Sequence, residues 1–224
     1  MHTLTEENYL KAIYRIFEHS GEIVSTTAIA EILEINAASV TDMFKKLGQQ
    51  KLVDYEKSRG VKPTEKGKKI AVQIIRKHRL WETFLVDKLK FSWDEVHDIA
   101  EQLEHVRSET LIERLDKLLN FPKFDPHGDP IPDKNGKLPE LNSILLSEGK
   151  KGSSYRITGV GKNSDAFLKY LKKMGLALGS TIKVREVEEF DGSIMIQIQD
   201  SKSELMLSRE ATSNLLVNLQ RVHG

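Results

Sequence analysis

Four of the chain's seven histidines, His78, His97, His105 and His127, fall between positions 78 and 127, and carboxylates keep step with them. His78 and Glu82 are one helical turn apart. His97, Glu101, Glu104 and His105 recur at steps of four, three and one, which puts all four on one helix face. That face carries imidazoles and carboxylates where leucines would ordinarily sit. Carboxylates crowded this closely repel one another unless protons or a cation neutralise them. A divalent ion would do so and would also fix the geometry. The rival reading is a solvated acidic helix with incidental histidines, or the polar core of a regulator that senses a small organic molecule. The chain has no cysteine, so the donors are nitrogen and oxygen alone. Such a set suits Mn(II), Fe(II), Co(II) or Zn(II), and the carboxylate share leans toward Mn(II).

Elements must position these groups. Residues 5–19, after Thr5, place Tyr9, Leu10, Ile13, Tyr14 and Phe17 at helical spacing. A second helix is expected from Ser25 or Thr26 through Leu33. Asn36 then caps a third, from Ala37 to about Gln49, which buries Val40, Phe44 and Leu47. Two helices joined by so short a turn make a helix-turn-helix. Leu52, Val53 and Tyr55 read as a strand, Ser58-Arg59-Gly60 as a turn and Val61-Lys62 as the returning strand, which together form a wing. Thr64 opens a long helix, roughly 65–90. Ser92 and Glu95 form a capping box for a helix of about 93–106, and Ser108 opens another whose Leu111, Ile112, Leu115, Leu118 and Leu119 suit a core or a dimer face. Five of the six prolines lie in 121–152, where helix is not expected. Beyond Tyr155, a short helix (Asp165 to Lys173) precedes alternating strands at 181–187, 193–198 and 204–207, read as a small barrel.

Charge is balanced overall, at +1, but not locally. Residues 45–79 hold twelve bases against three acids, and residues 80–120 five bases against ten acids. The first block suits a polyanion, whose counterions are released on binding; the second suits a cation. No run of eighteen apolar residues exists, so no membrane span is expected. The polar, acidic start is unlike a secretory signal, and together with the missing cysteines it points to the cytoplasm. H-E-x-x-H, G-x-S-x-G and phosphate-loop motifs are absent, so the chain is not expected to be an enzyme.

In these motifs the sequence resembles the diphtheria-toxin-repressor and manganese-transport-regulator family of bacterial metal-dependent repressors. The likeness runs through Glu7-Asn-Tyr-Leu-Lys-Ala-Ile-Tyr14, the 25–50 helix pair, Lys77-His-Arg-Leu80 with Glu82, Glu95-Val-His-Asp98, Glu101, Glu104-His105 and Asp125-Pro-His-Gly-Asp-Pro-Ile-Pro132. The segment from Met174 to Gly179 resembles the SH3-like, FeoA-type barrel that long members carry. The resemblance implies a mainly α fold with small β elements. It consists of a winged helix-turn-helix (1–75), a helical metal-binding and dimerisation domain (76–140), a linker (141–152) and an SH3-like domain (153–224). It implies a homodimer that binds double-stranded DNA at a palindromic operator, represses metal-uptake genes and takes metal as co-repressor. Mn(II) is favoured, with Fe(II) the alternative and Zn(II) or Co(II) as substitutes in vitro.

Carried over by match, the main metal site would use Glu101, Glu104 and His105, completed by Asn8 and by His78. A second would use His78 or Glu82, His97, Asp125 and His127, with Asp165 from the barrel. The partition of ligands between the sites stays open. Iron-type members have cysteine where Glu101 stands. Asn8 occupies a position where many manganese-type members have aspartate, and Lys11 one that is acidic in some short members. On the DNA side, Asn36, Ala38, Ser39, Thr41 and Asp42 would lie near base edges, and Lys45, Lys46, Arg59 and Lys62 would hold phosphates.

Overall fold

The structure, a computed structural model, describes residues 2–140, 143–161, 165–199 and 202–220. The chain forms two compact units. One comprises Met1–Trp81, Ala100–Arg114 and Pro132–Leu138, the other Glu82–Ile99, Leu115–Ile131 and Pro139–Gly224.

The first unit opens with helix α1 (Leu4–Ser20). The helix starts ahead of Thr5, because Thr3 takes the cap: its hydroxyl accepts from Glu6 N–H, and the Glu6 carboxylate accepts from Thr3 N–H at 2.8 Å, a complete capping box. Helices α2 (Thr26–Ile32) and α3 (Ala37–Gln49) follow, capped by Ser25 and Asn36. Their apolar faces meet α1 in a core built on Leu10, Ile13, Ile29, Val40, Phe44 and Leu47. Strands β1 (Val53–Glu56) and β2 (Gly60–Pro63) pair antiparallel, Tyr55 opposite Val61. Val24 exchanges two backbone hydrogen bonds with Val61, which brings this wing hard against the N-terminal helices. Gly60 makes that approach possible, since a Cβ there would stand 2.1 Å from the Val24 carbonyl oxygen. Helix α4 (Glu65–Asp87) continues from the wing.

The second unit is organised on a six-stranded sheet. Its strands are β3 (Ile144–Leu145), β4 (Ser154–Val160), β5 (Thr181–Val187), β6 (Ile194–Ile198), β7 (Glu204–Leu207) and β8 (Leu215–Leu219), in the order β3-β8-β4-β5-β6-β7. All its paired neighbours run antiparallel. Alternate residues Ile182, Val184, Ile194, Ile196, Val217 and Leu215 point into an apolar core that Leu168 and Leu171 of helix α7 (Asp165–Lys173) help to fill. The segment read as a linker carries β3 and the 3-10 turn Leu146–Glu148.

Helix α5 is shorter than expected, spanning His97–Leu103. The Ser92 amide does donate to the Glu95 carboxylate at 3.1 Å. The Ser92 hydroxyl, however, is engaged by Asp94 and by the Lys172 ammonium, and residues 93–95 form a turn ahead of the helix. Helix α6 (Glu109–Leu118) completes the set, together with the short α8 (Arg209–Thr212). Among the described residues, no helix is long and apolar enough to cross a membrane.

Candidate metal centre

The groups that spacing placed on one face divide between two clusters. In the first unit, Glu104 is fully buried and lies just beyond the end of α5. Its two oxygens each accept from the Lys11 ammonium at 2.8 Å, and Glu101 Oε1 lies 3.3 Å from the same nitrogen. His78 Nδ1 meets Glu104 Oε2 at 2.6 Å. Burial alone would raise the Glu104 carboxyl, but His78 and Lys11 outweigh it and hold the group below its ordinary range. His105 turns to α1, with Nδ1 2.6 Å from Glu7 Oε2 and Nε2 3.8 Å from Glu104 Oε1.

Asn8, expected to complete this site from α1, is exposed, and Glu7 and Lys11 reach the cluster in its place. Neither was singled out as a ligand. They stand four apart on α1, one helical turn, and a lysine between Leu10 and Ile13, both in the core, was the available signal. An ammonium cannot donate a lone pair, and it occupies the oxygens a metal would need. This cluster as it stands therefore does not fit a divalent ion.

The second unit holds a cluster of different chemistry. Glu82 on α4 and Asp125 and His127 from the 121–131 segment are all buried, and their ligand atoms lie within 4.8 Å of one another. The His127 Nε2 sits 2.7 Å from the Trp93 carbonyl oxygen, which can only accept, so that nitrogen carries the proton. Nδ1 is buried and finds no hydrogen-bond partner among the described residues; it faces Glu82 Oε2 at 3.6 Å and Asp125 Oδ1 at 3.9 Å. Burial works against the imidazolium, yet the Glu82 carboxylate, then Asp125 and the Trp93 carbonyl, push its pKa up to about 9. His97 joins from the solvent side, its Nδ1 3.3 Å from Glu82 Oε1 and its side chain 41% exposed. The Asp165 side chain lies outside the described residues.

Backbone contacts hold this loop. Asp125 Oδ1 accepts from the amides of His127 and Asp129, at 2.7 and 3.0 Å. The His127 carbonyl accepts from Val160 N–H of β4 at 3.0 Å. Gly128, at φ +89°, lies so close to β4 that a Cβ would come within 2.1 Å of the Thr158 carbonyl oxygen. An imidazole fixed by a carbonyl, with its other nitrogen turned toward two carboxylates, is the arrangement that metal ligands require of their surroundings. These residues fit a divalent cation.

The residues expected to meet DNA lie on the first unit's surface. Ala38, Ser39, Asp42, Lys45, Lys46, Arg59 and Lys62 are exposed and Thr41 is half-buried. Several have internal partners. Asn36 Oδ1 accepts from Ser39 N–H, the Thr41 hydroxyl donates to the Ala37 carbonyl, and Lys45 and Arg59 pair with Asp42 and Glu56. Lys46 pairs with the buried Glu6.

Comparison with known proteins agrees with this architecture. Residues 1–61 match the iron-dependent repressor N-terminal DNA-binding domain, 64–133 its metal-binding and dimerisation domain, and 144–219 the FeoA domain. The chain is 39% identical over 128 residues to the iron-dependent repressor IdeR of Mycobacterium tuberculosis, a match covering 57% of this chain and 55% of that protein. It is 38% identical over 125 residues to the HTH-type transcriptional regulator MntR of Oceanobacillus iheyensis, covering 56% and 84%. A solved manganese-dependent transcriptional repressor in complex with manganese superposes with a TM-score of 0.82 at 36% identity, over 96% of this chain and 99% of that one. The alignment thus spans about half of the IdeR sequence and nearly all of the manganese-dependent repressor. With both of its characteristic domains matched in sequence and the whole chain matched in fold, this protein belongs to the iron-dependent repressor family, to which the diphtheria toxin repressor and MntR relatives belong.

Proposed function

We propose that the chain is a metal-dependent transcriptional repressor that binds a palindromic operator as a homodimer in the cytoplasm and controls metal-uptake genes. Mn(II) is the favoured co-repressor and Fe(II) the alternative. The observation that carries this reading is the buried His127 Nδ1 facing Glu82 and Asp125. Residues 1–75 would serve as the DNA-binding domain, 76–140 as the metal-binding and dimerisation domain, 141–152 as a linker and 153–224 as the SH3-like domain; the three family matches, over 1–61, 64–133 and 144–219, support this order of domains but have different bounds.

Glu82, Asp125 and His127 would hold the ion, with His97 on the solvent side and Asp165 as a further candidate. A bound divalent cation would supply the positive charge that two facing, buried carboxylates otherwise draw from a protonated imidazole. The protein's part is orientation. Trp93 fixes the tautomer, the Asp125 turn fixes the loop, and β4 holds the loop's backbone. On the DNA side, α3 would enter the major groove, with Ala38, Ser39 and Asp42 nearest the bases and Lys45, Lys46, Arg59 and Lys62 on phosphates.

Selection of duplexes from a random pool, with Mn(II) and again with chelator, tests the whole reading. Recovery of a two-fold symmetric sequence only with metal is expected, and His127→Ala should abolish it. Equal recovery in both conditions would sink the proposal.

A further inference from the structure

The family resemblance places a metal at Glu101, Glu104 and His105, where the structure places an ammonium. Lys11 is 8% exposed, deep enough that an unpaired charge there would be costly. Its nitrogen carries three hydrogens, and three carboxylate oxygens stand ready for them: both oxygens of Glu104 at 2.8 Å and Glu101 Oε1 at 3.3 Å. The donor set of the lysine is complete. Glu104 is also saturated, since its Oε2 is shared with His78 at 2.6 Å, and His105 has its own carboxylate in Glu7. A divalent ion binds carboxylate oxygens at roughly 2.0–2.6 Å, inside the space the ammonium fills, so the two cations exclude each other.

We infer that Lys11 is the resident cation of this cluster: it balances the charge of the buried Glu104 and draws in Glu101, ties α1 to the C-terminal end of α5 without metal, and keeps divalent ions out. Asn8 fits the same arrangement. It is exposed and neutral, so α1 brings to Glu104 a positive side chain instead of a further carboxylate ligand. Metal responsiveness then resides with Glu82, Asp125 and His127 alone, and the α1 contact is permanent.

Manganese stoichiometry of the full chain, by equilibrium dialysis, reads this directly. Glu104→Gln should bind as many ions as wild type, whereas Glu82→Gln should bind one fewer. Lys11→Ala should bind one ion more than wild type, and that extra ion should vanish in the Lys11→Ala/Glu104→Gln double variant. Lys11→Arg, which keeps the charge, should match wild type. Loss of an ion in Glu104→Gln would overturn the inference, and so would a Lys11→Ala variant that gains none. Should a variant fail to fold, wild-type crystals soaked in Mn(II) decide the matter by anomalous scattering. No peak is expected between Glu104 and His105, and a peak there refutes the inference. Loss of the Glu82 ion is a separate readout, so failure at one cluster is distinguishable from failure at the other.

Discussion

The carboxylate of Glu6, on α1, lies 3.1 Å from the ammonium of Lys46, on α3. Glu6 is almost wholly buried, caps its own helix through Thr3 and accepts from Gln50 at 2.8 Å as well. One side chain thus joins the N-terminus of the first helix to the C-terminal turn of the helix proposed to read DNA. Burial would raise its pKa; the hydrogen bonds from Thr3, Gln50 and Lys46 win and hold it at about 2.

A group depressed from 4.5 to about 2 stabilises the fold above the unfolded value, and the contribution is lost as pH falls through about 2. It is on the order of 2–3 kcal/mol. Urea denaturation of wild type and Glu6→Gln between pH 5.5 and 2 should therefore converge at the acid end. A constant gap across that range would show that the charge of Glu6 contributes nothing.

His127 works in the opposite sense. Its pKa is raised from 6.5 to about 9 in the metal-free fold. The ion-pair stability is fully present below 6.5 and is lost as pH rises through about 9, again on the order of 3 kcal/mol. Metal-free protein should show a melting temperature that declines between pH 7 and 10, and His127→Gln should flatten the decline. Because a metal must displace that proton, Mn(II) affinity should climb with pH up to about 9 and then level off. A pH-independent affinity between 6 and 8 would contradict the assignment.

Gly128→Ala touches no ligand atom, yet the new methyl would collide with the β4 backbone at a φ of +89°. The loop carrying Asp125 and His127 must shift to relieve the clash. Manganese affinity should fall by about tenfold or more, measured by calorimetry, while the first unit keeps its helical circular dichroism. Unchanged affinity would mean that the loop tolerates displacement.

Lys62 is exposed on β2 of the wing, next to Val61. Lys62→Ala should weaken binding to every duplex by a similar factor and reduce the salt slope by about one. A sequence-selective loss would instead place this side chain at a base edge. Lys46→Ala carries the same expectation, complicated by the partner it leaves behind in Glu6.

The winged helix was plain in the sequence because each of its signals is local: Ser25 and Asn36 as caps, Val40, Phe44 and Leu47 on one face, and Ser58-Arg59-Gly60 at a turn. The chemistry was legible by residue type, and the family resemblance already grouped Glu82 with His97, Asp125 and His127, a grouping that helical spacing alone does not give. Helical periodicity put His97, Glu101, Glu104 and His105 together; in three dimensions His97 answers to Glu82, whereas Glu101 and Glu104 answer to Lys11. Partners some ninety residues apart leave no trace in spacing. For the same reason Glu7 went unnoticed. Strands β4 and β8 escaped as well, although Gly152 and Gly161 bracket β4. Their pairing, Ile157 with Val217, is a non-local fact.

The C-terminal sheet bears on the proposed metal site in a way its position along the chain does not suggest. Lys172 of α7 grips Ser92 and Asp94 on either side of Trp93, whose carbonyl sets the imidazole, while Val160 of β4 pins the backbone of the same histidine. A chain ending before residue 144 would retain Glu82, Asp125 and His127 but lose the wall they lean on. The FeoA-like segment would thus form part of the proposed socket.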